Sequence, residues 1–107
     1  ALACALCSAT FVLTAAAEES AELCVGVSTD SLPNGLRWTL TNGCSKRLEC
    51  KVSWTVYCKD HEGEIKSSHP ANDSFSLGPQ RTHGVEAFSE VCKSDNWSID
   101  DVEWTCR

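Results

Sequence analysis

Apolar and polar residues alternate most regularly between residues 48 and 59. Apolar side chains occupy the even positions from Leu48 to Cys58, whereas the odd positions from Glu49 to Lys59 hold charged or hydroxyl-bearing side chains. Successive side chains of a strand point to opposite sides, so this two-residue period is typical of a strand with one buried face. A helix would spread the same apolar residues around its circumference. The pattern therefore predicts one β-strand over residues 48–59.

A shorter alternation of the same kind covers residues 36–41. Asn42 and Gly43 follow it and would suit a two-residue hairpin loop to the next strand. That register, however, would place Leu48 opposite Arg37 and mix the apolar face of one strand with the charged face of the other. Either the connection has an odd number of residues, or the chain arches into a second sheet. We expect the arch, because it lets both apolar faces point inward.

The second half of the chain predicts further short strands. Residues 60–64 are expected to form a charged turn, and residues 65–74 a loop or an edge strand, because they include Pro70. A strand that begins at Phe75 is expected to turn and to return over residues 85–91. This arrangement predicts a β-hairpin between those two segments.

The parity of the apolar positions changes near the end of the chain. It is odd at Trp97 and Ile99 but even from Val102 to Cys106. One extra residue around Asp100-Asp101 would reconcile the two patterns. The sequence therefore predicts a β-bulge, or a change of sheet, at this point.

About six to seven short strands without a long amphipathic helix predict an all-β fold, a small disulfide-stabilised antiparallel β-sandwich of immunoglobulin-like or similar type. The segment Asp100–Cys106 resembles the strand-F signature of immunoglobulin domains, in which an aromatic residue lies two positions before a cysteine. The sequence departs from the immunoglobulin pattern at two points. Trp104 stands where the signature has tyrosine, and Trp54 lies only four residues after Cys50. The resemblance supports a sandwich and assigns no functional residue.

Residues 1–17 are apolar and end in three alanines. An apolar stretch of about 7–15 residues before an A-x-A site is typical of a secretory signal peptide. Glu18 and Glu19 end the stretch before it reaches the roughly 20 apolar residues of a membrane span. We therefore predict an N-terminally incomplete signal peptide over residues 1–17 and a single domain over residues 18–107 without a membrane span. The product is expected to be secreted, either extracellular or associated with a periplasm or envelope.

Six cysteines follow the predicted signal peptide, and an oxidising compartment would pair them: Cys24, Cys44, Cys50, Cys58, Cys92 and Cys106. Cys50 and Cys58 lie roughly 26 Å apart on a straight strand, so they cannot bond to each other. If the last strand runs antiparallel to the central one, Cys106 lies near Cys50. Cys92 would then pair with Cys58, and Cys24 with Cys44. Other connectivities remain open.

Charge and composition limit the partners. The formal net charge is −6, and the nine Lys and Arg residues are scattered, so no basic stripe for phosphate is present. We expect no binding to nucleic acid. An unknown extracellular protein or glycan is the expected partner.

Residues 60–64, Asp-His-Glu-Gly-Glu, are the best candidate for a metal site, with His69 or Asp73 as further ligands. A solvated hairpin turn is the alternative, because the segment lacks the length and the closing acidic residue of an EF-hand loop. No C-x2-C pair follows residue 17, which disfavours a zinc site. We expect neither a metal nor a cofactor.

The candidates for catalysis are weak. Three histidines lie near serines in the sequence, but the chain has no G-x-S-x-G pattern: His61, His69 and His83. Asp100 and Asp101 are adjacent, so a strand would point them to opposite faces, whereas glycoside hydrolysis needs two carboxyl groups across a cleft. A small sandwich filled by tryptophans also leaves little room for a pocket. We therefore expect no enzymatic activity.

Three of the four tryptophans fall on inward parity and are expected in the core: Trp38, Trp54 and Trp104. Trp97 lies beside the change of parity, and with Tyr57 it is a candidate aromatic platform for a ligand. Asn72 and Asn96 begin N-x-S glycosylation sequons, both in predicted loops. A glycan on Asn96 would compete with a ligand for Trp97.

Together these features favour a small secreted non-catalytic interaction module that binds protein at the extracellular surface or envelope. Its edge strands and the loops at residues 28–35 and 60–74 are the expected contact surfaces, with Leu32, Tyr57 and Trp97 as candidate contact residues. The alternative is a secreted inhibitor or toxin-like effector with a rigid exposed loop at residues 31–34, because rigidity lowers the entropy lost on binding.

Overall fold

The computed structural model describes residues 21–107, and the predicted signal peptide lies outside this range. A single helical turn and six strands follow one another: α1 (Ala21–Cys24), β1 (Val25–Leu32), β2 (Gly35–Asn42), β3 (Leu48–Lys59), β4 (Ile65–Leu77), β5 (Thr82–Phe88) and β6 (Trp97–Cys106). They form two three-stranded antiparallel sheets, ordered β1-β2-β5 and β4-β3-β6. The predicted all-β, disulfide-stabilised sandwich is confirmed. Within residues 21–107, no helix has the length and apolar character needed to cross a membrane.

The central strand β3 has the bounds that its alternation predicts, and its even positions are buried from Leu48 to Cys58. Opposite it in the other sheet, Trp38 of β2 places its ring 5.3 Å from the ring of Trp54. Leu40 and Leu48 are fully buried beside this pair. The core is therefore the layer of inward side chains between β2 and β3.

The predicted arch between these two strands is also present, because β2 and β3 belong to different sheets. Asn42 holds the arch together. Its side-chain amide donates to the carbonyl oxygens of Lys46 at 2.8 Å and Leu77 at 2.9 Å, and its Oδ1 accepts from the N–H of Cys44 at 2.8 Å. The Asn42 side chain is fully buried, so these bonds satisfy polar groups that water does not reach.

We expect Asn42→Ala to lower the free energy of unfolding by about 2–3 kcal/mol, because it removes three hydrogen bonds and leaves backbone groups unpaired. Denaturant titration measures the loss. Asn72→Ala is the matched control, since Asn72 is exposed on β4 and its replacement should change stability by less than about 0.5 kcal/mol. Equal stability of the two variants would contradict the role assigned to Asn42.

The predicted bulge in β6 is confirmed. Ser53 of β3 pairs with Glu103 and Thr55 pairs with Asp100, so two residues of β6 lie opposite Trp54 alone. One of them, Asp101, has a positive φ of 57°. The extra residue lets apolar side chains on both sides of the bulge face the core.

Three sequence interpretations are wrong. Only residues 60–64 of the expected contact loop at residues 60–74 form a turn, because β4 begins at Ile65. Residues 28–32 belong to strand β1, so the expected loop at residues 28–35 reduces to the tight turn at Pro33 and Asn34. The expected hairpin between the segment at Phe75 and the segment at residues 85–91 does not form. Instead β4 pairs with β3 and β5 pairs with β2, and the turn after β4 crosses from one sheet to the other.

The three disulfides join the cysteines in the expected pairs, with Cα–Cα distances of 5.2 Å for Cys24–Cys44, 4.1 Å for Cys50–Cys106 and 5.3 Å for Cys58–Cys92. Two of them start from opposite ends of the inner face of β3 and tie it to β6 and to the segment before β6. The third ties α1 to the arch after β2. The cross-links therefore hold both ends of the sandwich.

Candidate interaction surface

The structure places the three candidate contact residues at different points. Leu32 is half-buried at the end of β1, and Tyr57 is half-buried on the outer face of the β4-β3-β6 sheet. Trp97 begins β6 opposite Cys58, which faces the core. Because Tyr57 neighbours Cys58 in the strand, Tyr57 and Trp97 lie on opposite faces of the sheet. The structure does not bring them together as an aromatic platform.

The other tryptophans divide between core and edge. Trp38 and Trp54 are buried, as their parity predicts, whereas Trp104 is only half-buried because β6 is an edge strand. Trp97 is half-buried for the same reason. The partly covered rings of β6 therefore lie along one side of the sandwich.

Tyr57 donates its phenolic hydrogen to Oδ2 of Asp101, the bulge residue with positive φ. This hydrogen bond, together with desolvation and the negative charges of Asp101 and Asp100, raises the pKa of Tyr57 above its usual value near 10. The bond links the outer face of β3 to the bulge. The Asp101 carboxylate, weighed above with Asp100 as a possible catalytic pair, thus accepts a hydrogen bond from Tyr57.

Tyr57 is the one tyrosine in the chain, so tyrosinate absorbance reports its titration alone. We expect a midpoint above pH 10 and a lower midpoint in Asp101→Asn, because the acceptor charge is lost. The folded-state pKa exceeds the unfolded one, so the stability contributed by this bond is present below pH 10 and disappears as the pH rises through the folded pKa. Glu62→Gln is the control, and an equal shift in that variant would contradict the assignment.

The candidate metal loop is organised as a turn. Oδ1 of Asp60 accepts hydrogen bonds from the N–H groups of Glu62 and Glu64, both at 2.9 Å, and Oδ2 lies 3.5 Å from Lys66 Nζ. These contacts, led by the Glu64 backbone bond, lower the pKa of Asp60. In the part of the chain that the structure describes, no group of three or more His, Cys, Asp or Glu side chains is placed to hold a metal ion. The carboxylate of Asp60 thus serves the geometry of the turn.

Within residues 21–107, the histidines do not form a catalytic group with a serine and a carboxylate. His69 Nε2 lies 3.1 Å from Ser67 Oγ on the exposed part of β4. The carboxylate of Asp73 instead lies 3.3 Å from Nε2 of His83, whose ring stacks on Phe75 at 3.9 Å. The His83 contacts join β5 to β4 and close that side of the sandwich.

The two sequons differ from the prediction in one respect. Asn72 lies within strand β4 and not in a loop, although it is exposed there. Asn96 precedes β6, and its side-chain nitrogen donates to the carbonyl oxygen of Asp60 at 2.7 Å. A glycan at Asn96 would therefore form at an amide that anchors the segment before β6 to the turn at residues 60–64.

Four strands lie at sheet edges, and three of them carry features that discourage pairing with another chain. β4 contains Pro70 and Lys66, β6 has its bulge, and β5 is the shortest strand, with Glu86 exposed. β1 has none of these features. Its register with β2 runs without interruption from Val25 to Leu32.

The free edge of β1 presents backbone groups from alternate residues. Both backbone groups of Asn42 point toward the β5 side of the sheet. Its N–H donates to the carbonyl oxygen of Arg81 at 3.0 Å, and its carbonyl oxygen accepts from the N–H of Gln80 at 2.8 Å. The pair between Asn42 and Val25 is therefore a non-hydrogen-bonded pair of the antiparallel ladder. It follows that the N–H and C=O groups of alternate residues point to the free edge: Val25, Val27, Thr29 and Ser31.

The inner side of β1 is open as well. Val27 and Thr29 face the same side as the buried residues Leu40 and Trp38, with which they pair, yet both are exposed, Val27 by 40%. β5 contacts β3 and β4, and α1, which leads into β1, contacts β6. β1 and β6 thus share one side of the sandwich. We call this side the open edge, defined by β1 and the half-buried or exposed apolar residues of β6: Trp97, Val102 and Trp104.

The sequence carries little signal for this surface. Only Val25 and Val27 alternate before a run of small polar residues, so β1 lacks the apolar pattern that identifies β3. The unguarded edge becomes visible only when the order of the strands is known.

The chain matches no family model, and no curated protein or solved structure matches it.

Proposed function

We propose that this protein is a secreted, non-catalytic protein-binding module that takes up an extended strand of an extracellular partner at the free edge of β1. One observation carries the proposal: β1 is an uninterrupted, unguarded edge strand within residues 21–107, and alternate residues direct N–H and C=O groups away from the sheet. Addition of a strand to such an edge supplies main-chain hydrogen bonds, and the side-chain positions supply specificity.

Three disulfides support this proposal in two ways. Such bonds persist in oxidising compartments, which agrees with the signal peptide predicted over residues 1–17 and with an extracellular or envelope location. They also hold the sandwich rigid, so less conformational entropy is lost when a partner binds. The Cys24–Cys44 bond anchors the segment that leads directly into β1.

The proposal is tested by capture of extracellular proteins on the oxidised protein and on Thr29→Pro. Proline at this position removes an N–H group that points to the free edge and leaves the hydrogen bonds between β1 and β2 in place. We expect Thr29→Pro to lose the captured partner and to keep its circular dichroism spectrum. Thr29→Val keeps the N–H group and is the matched control. Equal capture by the proline variant and the wild type would rule out the β1 edge as the binding site.

The alternative function is a secreted inhibitor or toxin-like effector, and one observation favours it. The carbonyl oxygen of Asn34, in the turn between β1 and β2, accepts from the N–H of Ser89 at 2.9 Å and from its hydroxyl at 3.0 Å. The turn next to Leu32 is therefore anchored at its tip. Inhibition of a serine or cysteine protease that is lost in Leu32→Ala and kept in Thr29→Pro would favour this alternative.

A further inference from the structure

We infer that the strand taken up at β1 is a basic segment in which apolar residues alternate with Lys or Arg. This inference rests on the proposed function and names the chemistry of the partner. It draws on two properties of the open edge that are independent of its hydrogen-bonding groups. The first is the apolar inner side of the edge. The second, on its outer side, is an acidic side chain that makes no ion pair within residues 21–107.

The inner side requires apolar residues. A strand added beside β1 extends the β1-β2-β5 sheet, and its inward side chains lie next to Val27 and toward β6. There they meet Val102, which is 39% exposed, and the half-buried ring of Trp104. Covering these groups removes apolar surface from water and stabilises the complex.

The outer side requires a positive charge. Asp30 of β1 pairs in register with Arg37 of β2, and Arg37 pairs in turn with Glu86 of β5. The guanidinium binds Glu86, to which Arg37 Nε donates at 2.9 Å, and Asp30 makes no ion pair among residues 21–107. Asp30 is thus an exposed carboxylate beside the free edge, and a Lys or Arg directly opposite it would be a favourable cross-strand pair.

The surrounding charges act in the same direction. β6 carries three acidic residues and no Lys or Arg: Asp100, Asp101 and Glu103. Asp100 and Glu103 pair with outward positions of β3, so their charges act on a partner at β1 through the long-range field and not by contact. Together with the net charge of −6, they disfavour a second copy of this chain as the occupant and favour a basic partner. β6 itself is a poor site for strand addition, because its bulge interrupts the row of backbone groups.

The parity of the added strand follows from the edge. Residues of the partner opposite Val27 and Thr29 exchange hydrogen bonds with β1, and their side chains point inward, so they are the apolar ones. Residues opposite Ser28 and Asp30 point outward, so they are the basic ones. In this register the N–H groups of the basic residues face away from β1.

The probe is a peptide of alternating valine and lysine in which the backbone amide nitrogen of each lysine is methylated. The lysine side chains are unmodified and keep their charge. Methylation blocks the edge of the peptide that faces away from β1, so the peptides cannot stack into sheets of more than two strands, while the valine N–H groups stay free for β1. A peptide with glutamate in place of lysine and the same methylation is the control. Binding to the oxidised, isotope-labelled protein is followed by NMR, through amide shifts and hydrogen exchange.

We expect the lysine peptide to bind, to shift and protect the amides of Val27, Thr29 and Ser31, and to lose this effect with Thr29→Pro. Asp30→Asn should weaken its binding by about two- to fivefold, since an exposed cross-strand charge pair is worth a few tenths to about 1 kcal/mol. Glu62→Gln, which removes a charge from the exposed turn at residues 60–64 and leaves the Arg37–Glu86 pair intact, should leave the affinity within about twofold.

Each outcome separates the two proposals. Equal binding of the glutamate peptide, or no binding of the lysine peptide, would overturn the inference about a basic partner. If Thr29→Pro still abolished capture of an extracellular protein in that case, strand addition at β1 would stand with a partner of different chemistry. If the proline variant captured the same proteins as the wild type, both proposals would fall.

Discussion

Replacing Trp54 with alanine is expected to lower the free energy of unfolding of the oxidised protein by about 3–5 kcal/mol. The side chain is 8% exposed, and its ring lies 5.3 Å from that of Trp38 in the opposite sheet. Trp54 also lies opposite the two bulge residues of β6 and beside Ala71 of β4. It is thus a main contact between the two layers, and its truncation removes contacts with both the opposite sheet and the neighbouring strands.

Chemical denaturation followed by the backbone signal of far-UV circular dichroism measures this loss, because the strands give that signal in every variant, whereas tryptophan fluorescence loses one of its sources. Trp97→Ala is the matched control. Its side chain is half-buried at the beginning of an edge strand, so we expect a loss of about 1–2 kcal/mol. Similar losses in the two variants would contradict the assignment of the core to the layer between β2 and β3.

Removing the Cys50–Cys106 disulfide with a double alanine variant is expected to lower the free energy of unfolding by about 4 kcal/mol. The cross-link spans 56 residues of sequence, and the loss of loop-closure entropy in the unfolded chain accounts for a stabilisation of this size. Both cysteines are buried, and the adjacent residues Glu49 and Arg107 exchange two backbone hydrogen bonds at 2.8 and 3.0 Å. The bond therefore reinforces an existing pairing of β3 and β6.

The same measurement on the Cys24–Cys44 pair is the comparison. That bond spans 20 residues, for which the same relation predicts about 3 kcal/mol. Retention of stability to within about 1 kcal/mol after removal of Cys50–Cys106 would show that strand pairing alone holds β6.

The four edge strands differ in how well they are protected against pairing with another chain. Proline, lysine, short length and a bulge discourage strand addition at β4, β5 and β6, whereas β1 carries a single charged residue, Asp30. Natural sheets rarely leave such an edge without protection, because it pairs with other chains. An edge left in this state is best explained as one that is covered when the protein acts.

The sequence by itself determined the class of fold, the central strand, the arch and the bulge. Each of these follows from the parity of side chains in a strand, which is a local property that β3 and β6 display over many residues. The sequence also excluded a Cys50–Cys58 bond, because an extended β3 separates these cysteines by more than a disulfide can span. It left several connectivities open among the rest, and the structure selected the expected one.

Only the tertiary structure decided which strands became edges and which side of the sandwich stayed open. β1 and β4 have polar sequences with a weak apolar pattern, and each forms a hairpin with the strand that adjoins it in sequence. They become edges because β5 and β6, which are distant in sequence, occupy the other sides of β2 and β3. The role of Asn42 was equally hidden, because a turn residue and a buried anchor have the same local sequence. Its three hydrogen bonds exist only once Leu77 and the arch have come together.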